Sequence, residues 1–127
     1  MENYVDEDFS IKIEDGIVFI VFFREHADFG FVDKGVKKRI EMTEGRPYPI
    51  ITDMRKIKSA TREARIRISE ADAGAGCPAV AVIVNSKLQK VMYNLYNAIF
   101  RAPAPCRLFT ERKDALEWIQ QFKHIHN

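Results

Sequence analysis

Ile17-Val18-Phe19-Ile20-Val21-Phe22 is apolar at every position. A strand sends successive side chains to opposite faces, so an unbroken apolar run of this length needs cover on both sides. Ala79-Val80-Ala81-Val82-Ile83-Val84 makes the same demand. Two such strands in one short chain require an interior sheet, and the rest of the sequence has to supply the helices that cover it.

The rest of the sequence does so in alternation. Phe9, Ile11 and Ile13 alternate with Ser10, Lys12 and Glu14, which predicts a half-buried strand nearer an edge. Asp15-Gly16 then predicts a hairpin turn into Ile17 to Phe22. Val32, Val36 and Ile40 recur every four residues among Lys34, Lys37, Lys38, Arg39 and Glu41, so an amphipathic helix follows, with Asp28 as its N-cap and Gly45 and Pro47 stopping it. Tyr48 to Thr52 predicts the third strand, which delivers Asp53 at its end.

A second helix is predicted from Thr61 through Ala64, Ile68 and Ala71, ended by Gly74-Ala75-Gly76 and Pro78; its apolar face is thin and mostly alanine. After the strand Ala79 to Val84, a third helix from Lys87 to about Phe100 carries a wide stripe that includes Met92, Tyr93, Tyr96 and Phe100. Ala102 to Pro105 breaks it. Cys106 to Phe109 predicts a last short strand, and Thr110 caps a closing helix with Ala115, Leu116, Trp118, Ile119 and Phe122 inward. The order is β-β-α-β-α-β-α-β-α, an α/β single domain over residues 1–127 with a mixed sheet of about five strands and about four helices. Residues 1–8 form an acidic lead and residues 123–127 a loose end.

Composition excludes several classes. The chain of 127 residues is large enough for one core without metals or disulfides, and its net charge of +2 does not imply a polyanion partner. No apolar run approaches the roughly 20 residues that span a bilayer, so membrane insertion is not expected. The acidic start lacks the basic-then-apolar order of a secretory signal, which predicts a cytoplasmic protein. Cys77 and Cys106 stand apart among small or apolar neighbours and are expected to be buried and inert.

With that element order in place, the chain resembles the STAS, or SpoIIAA-like, domain of bacterial anti-sigma-factor antagonists. The resemblance is carried by Ile50-Ile51-Thr52-Asp53 leading to Thr61-Arg62-Glu63-Ala64-Arg65, by Ala81-Val82-Ile83-Val84, and by Pro105-Cys106-Arg107-Leu108-Phe109 with Ala115-Leu116-Glu117-Trp118-Ile119. It extends over about Phe9 to Phe122. In the phosphorylation-switched members an Asp-Ser-Ser-Gly opens the helix after the strand's Asp. Here Asp53 matches the strand's Asp, but the helix opens with Ala60-Thr61-Arg62-Glu63, and the serine position falls on or beside Arg62. The resemblance implies a non-enzymatic module that binds a protein partner or a small ligand, without that switch.

The candidate contact residues lie where strands end and helices begin. Asp53, Asn85, Ser86 and Thr110 converge on one rim if their strands are parallel neighbours, and helix N-termini there suit a carboxylate or phosphate. The plainer reading is that Ser86, Thr110 and Thr61 cap their own helices, at about 1 kcal/mol each, while Asp53 ties down the following loop. Arg55, Lys56, Lys58, Arg62, Arg65 and Arg67 form a basic run with Ser59 and Thr61 inside it. Arg62 and Arg65, three apart, could clamp an anion or an acidic partner, or the run could be a solvated face. Nucleic acid is not expected, because aromatic residues are not interleaved with these charges.

Met92, Tyr93, Tyr96 and Phe100 suit either ordinary core or a self-association surface, and a homodimer is the expectation drawn from them. His26, His124 and His126 do not form a metal-ligand pattern, no nucleophile with a base can be assembled, and no cofactor is implied. Three functions remain ordered: a regulatory or protein-interaction module, a carrier of a lipid-like or anionic small molecule akin to CRAL-TRIO-like domains, and last a small enzyme at the Asp53, Asn85, Ser86 rim.

Overall fold

A computed structural model of the chain describes residues 2–70, 77–85 and 105–123. Its main sheet has six strands: β1 (Glu2–Val5), β2 (Phe9–Glu14), β3 (Ile17–Phe22), β5 (Ile50–Asp53), β7 (Val80–Ile83) and β8 (Cys106–Phe109), in that spatial order. A separate pair is formed by β4 (His26–Ala27) and β6 (Ser59–Ala60). The described helices are α1 (Phe29–Thr43), α2 (Arg62–Ser69) and α3 (Arg112–Ile119), the last running into a 3-10 turn at Gln120–Phe122. The helix predicted from Lys87 to Phe100 lies outside the described residues.

The antiparallel and parallel parts of the sheet follow from the connections. β1, β2 and β3 pair antiparallel, and the β2–β3 turn places Asp15 at φ 54° and Gly16 at φ 75°. Two positive φ values in a two-residue loop are what the twist of a hairpin requires, and Asp-Gly supplies them at low cost. From β3 onward the strands are parallel, each step moving the same way across the sheet. Right-handed crossovers in one direction put α1 and α2 on the same face.

The core divides by the two-residue period of the strands. On one face Phe9, Ile11, Val18, Ile20, Ile50 and Val82 pack with Phe31 and Val32 of α1 and Ala64 of α2. On the other, Ile17, Ile51, Ala81 and Ile83 pack with Ala115 and Ile119 of α3. The doubly apolar strands are therefore covered on both faces, as their composition demanded. Gly35 of α1 faces the rings of Phe22 and Phe9, which a Cβ there would meet at 3.8 and 3.9 Å, an ordinary van der Waals contact.

Four local expectations change. The acidic lead contributes β1, whose Tyr4 packs on the core and donates to Asp6 at 2.7 Å, while Lys34 of α1 reaches Asp6 at 2.6 Å and Asp8 at 3.2 Å. Tyr4 and Val5 are too short a run to announce a strand, and the charges that pin it come from a distant helix. α2 ends at Ser69 because Glu70 is already extended at ψ 155°, before the Ala71 that periodicity included. The closing helix is capped at Glu111, one residue after Thr110, because Val84 N–H bonds the Phe109 carbonyl and holds Thr110 in the turn. Cys77 is buried as expected, whereas Cys106 is only partly so.

Candidate functional site

β5 lies between β3 and β7, so Asp53 is carried by an interior strand to the rim of the sheet. Its carboxylate does not stand free. Arg55 donates its backbone N–H to Oδ1 at 3.1 Å and closes a fork with Nε 3.0 Å from Oδ1 and Nη2 2.7 Å from Oδ2. The Asp53 hydrogen bonds and charge hold the Arg55 guanidinium above its ordinary basicity. This is the loop-tying role that an Asp at a turn commonly plays.

Beyond Asp53 the chain turns back onto the core. Met54 and Ile57 turn inward and are buried, Ile57 to 1% exposure. Met54 N–H donates to the Ile83 carbonyl at 2.9 Å and Ile57 N–H to the Met54 carbonyl at 3.1 Å, which fixes the crossover over the strand ends. The next residues clasp the loop that follows β3. Lys58 and Ser59 N–H groups both donate to the Glu25 carbonyl, Thr61 N–H donates to the Ala27 carbonyl, and β4 and β6 pair His26 with Ser59. In that register the Ser59 hydroxyl lies 2.7 Å from His26 Nδ1. Neither two-residue strand has enough length to show a period in the sequence, so the His26–Ser59 contact was not anticipated.

α2 starts where this clasp ends. Thr61 is its N-cap, accepting from Ala64 N–H at 3.0 Å. Arg65 curls back and donates to the Ala60 carbonyl at 2.9 Å, while Arg62 is exposed. Arg67, counted by its sequence position in a basic surface run, is buried: its side chain is 5% exposed and its Nε lies 2.9 Å from Asp33 Oδ1 on α1. Its spacing was the signal, since Arg67 stands three residues after Ala64 on the inward stripe of α2.

The predicted residues fall into two groups. Asp53 is in register with Val21 and Ile83, and Ile83 packs on the α3 side, so Asp53 and Arg55 face that side, near the charge of Glu111. Ser59, Thr61, Arg62 and Arg65 belong to the clasp and to α2, whose Ala64 packs on the opposite side. Lys56 and Lys58 are exposed on the crossover between the two groups, with Lys58 3.4 Å from Glu25. Asn85 is exposed just beyond β7, and Thr110 is exposed without a cap bond to α3. Ser86 and the proposed interface residues Met92, Tyr93, Tyr96 and Phe100 lie outside the described residues.

Other chemistry is limited in this neighbourhood. Burial raises the Cys77 thiol, and burial, with a lesser contribution from the negative charge a Cys77 thiolate would carry, pushes Cys106 up to about 12, so both stay protonated at neutral pH. Cys77 Sγ sits 3.1 Å from the Ala79 carbonyl and 3.4 Å from that of Tyr48. Among the described residues no group of three His, Cys, Asp or Glu could hold a metal, and no helix is long and apolar enough to cross a membrane. A shallow, open depression lies on α3 over Arg112, Lys113, Leu116, Glu117 and Gln120, touching none of the predicted site residues.

Comparison with known proteins agrees with the fold. A solved relative in fold is an uncharacterized protein of the DUF3478 family from Shewanella loihica PV-4, with a SpoIIAA-like fold; the match has a TM-score of 0.61 and 15% identity, covering 87% of this chain and 91% of that one. No curated protein matches. The architecture is SpoIIAA-like, as the strand-to-helix passage at Asp53 suggested. A family described as a domain of unknown function, DUF7793, matches residues 11–123, and the chain belongs to that family.

Proposed function

We propose that this chain is a cytoplasmic, non-catalytic regulatory module that contacts an acidic protein partner through the exposed part of the Asp53 to Arg65 passage. The observation that carries this reading is the clasped crossover with its exposed cations. Met54 and Ile57 are buried beneath the crossover, and Lys56, Lys58 and Arg62 stand exposed on it and at the start of α2. A surface of exposed cations over a rigid, packed base favours recognition by charge complementarity over enclosure of a small molecule. The fork from Arg55 favours the same reading, because a carboxylate committed to a neighbouring guanidinium is a poor general base. A homodimer through Met92, Tyr93, Tyr96 and Phe100 is the second part of the proposal.

Affinity capture from the native lysate tests the first part, comparing the parent with Lys56→Glu/Arg62→Glu and identifying proteins and co-purified small molecules by mass spectrometry. One acidic protein captured by the parent and lost with the variant is the expected outcome. A small molecule bound in equal amount to each chain, with no protein lost, would overturn the proposal in favour of the carrier.

A further inference from the structure

The clasp sets the starts of two helices side by side. β4 and β6 pair in parallel with His26 opposite Ser59 and Ala27 opposite Ala60, and the next residue of each chain is an N-cap, Asp28 or Thr61. α1 therefore opens with Phe29 beside Arg62, the opening residue of α2. One turn on, Arg67 Nε lies 2.9 Å from Asp33 Oδ1 and keeps the two helices together. Residues four apart share a helix face, so Phe29 lies on the Asp33 flank of α1, which meets α2, and Ile66 continues the Arg62 stripe of α2.

Phe29 and Ile66 depart from the inward pattern of their helices. Phe31 and Val32 of α1 and Ala64 of α2 are buried, whereas Phe29 is 48% and Ile66 50% exposed. Either alone would be ordinary on a protein surface. Here both flank one seam, and the charges beside them differ in what already holds them. Glu25 is 3.4 Å from Lys58, and the two oxygens of Asp33 are taken by Arg67 and Lys37 at 2.9 and 3.0 Å. Glu63 belongs to the first turn of α2, where a carboxylate favours the positive end of the helix. Lys56 and Arg62 are exposed. An incoming segment thus meets cations and half-covered apolar side chains on the same surface, the combination in which charge speeds encounter and apolar burial prolongs it.

Building on the acidic-partner reading above, we propose that the partner's contacting segment is amphipathic, seating apolar side chains on Phe29 and Ile66 across the α1–α2 seam while its carboxylates meet Arg62 and Lys56. Acidity alone does not make a partner. The apolar side chains select among acidic segments.

Amide NMR titration of the full chain with synthetic peptides of equal length tests this, because it detects weak binding. An amphipathic Glu/Leu peptide is expected to bind saturably and shift the amides of Phe29, Arg62 and Ile66, and to bind at least about tenfold more tightly than a Glu/Ser or a Lys/Leu peptide. Phe29→Ser/Ile66→Ser is expected to weaken the Glu/Leu peptide at least about tenfold while leaving its salt dependence and the Ile51 amide unchanged. Lys56→Glu/Arg62→Glu is expected to weaken it and flatten the salt dependence. Equal binding of the Glu/Leu and Glu/Ser peptides to the parent would overturn the amphipathic segment and leave the acidic partner standing. Equal binding of the Glu/Leu and Lys/Leu peptides, or no binding of either Glu peptide, would overturn both.

Discussion

Arg55 grips Asp53 from two residues downstream, with its Nη2 2.7 Å from Oδ2 and its backbone N–H on Oδ1. The strand's terminal carboxylate is thereby spent on the turn it initiates. Asp53→Asn keeps an acceptor for the backbone N–H and loses the fork; it is expected to cost well under about 1 kcal/mol, while Asp53→Ala, which loses both, costs about 1–2 kcal/mol. Urea denaturation of the two variants measures the difference. Equal losses would mean that the fork, and not the turn bond, is what matters.

Ile57 plugs the rim from within a loop, and its neighbour Lys56 does not. Ile57→Ala is expected to destabilise by about 3 kcal/mol, as for a buried core residue. Lys56→Ala is expected to stay within about 0.5 kcal/mol of the parent. A loss as small as that for Ile57→Ala would show that the rim is open and wet.

Thr61 caps α2 and Thr110 does not cap α3. Thr61→Ala should therefore lower stability by about 1 kcal/mol, and Thr110→Ala should change it by a few tenths at most. Thermal or urea unfolding of the pair checks the contrast, which sequence position alone would not have drawn.

Acid should loosen the N-terminal edge of the sheet. Burial by itself would raise the Asp6 carboxyl, but hydrogen bonds from Lys34, Tyr4 and the Phe9 and Asp8 N–H groups outweigh it and hold the group well below the usual carboxylate range. A carboxyl depressed on folding contributes stability that is fully present above its unfolded value of about 4 and is lost as pH falls toward the depressed one. The midpoint of unfolding should therefore drop below about pH 4, and Lys34→Met should flatten that drop. An identical acid profile in Lys34→Met would remove the Lys34–Asp6 contact from the account.

The parts of the fold that were legible in the sequence are those where one residue type has one physical solution. Ile17 to Phe22 cannot be anything but an interior strand once it is a strand at all, and Asp15-Gly16 and Asp28 announce the turn and cap that they form. Asp53 at an interior strand's end was legible for the same reason. The rest depends on partners far along the chain. β1 is held by Lys34 on Asp6, the clasp brings His26 to Ser59, and Arg67 is buried where it meets Asp33 of α1. A local pattern contains none of those distances, so a basic run looked uniform when one of its members was structural.

The most direct measurement of the central claim is a calorimetric titration of the captured protein partner, purified, into the parent chain and into Lys56→Glu/Arg62→Glu, at low and at physiological salt. The account predicts an affinity at least about tenfold weaker for the variant and a parent affinity that falls as salt rises, with unfolding midpoints that differ little. Equal affinities for parent and variant, independent of salt, would contradict it.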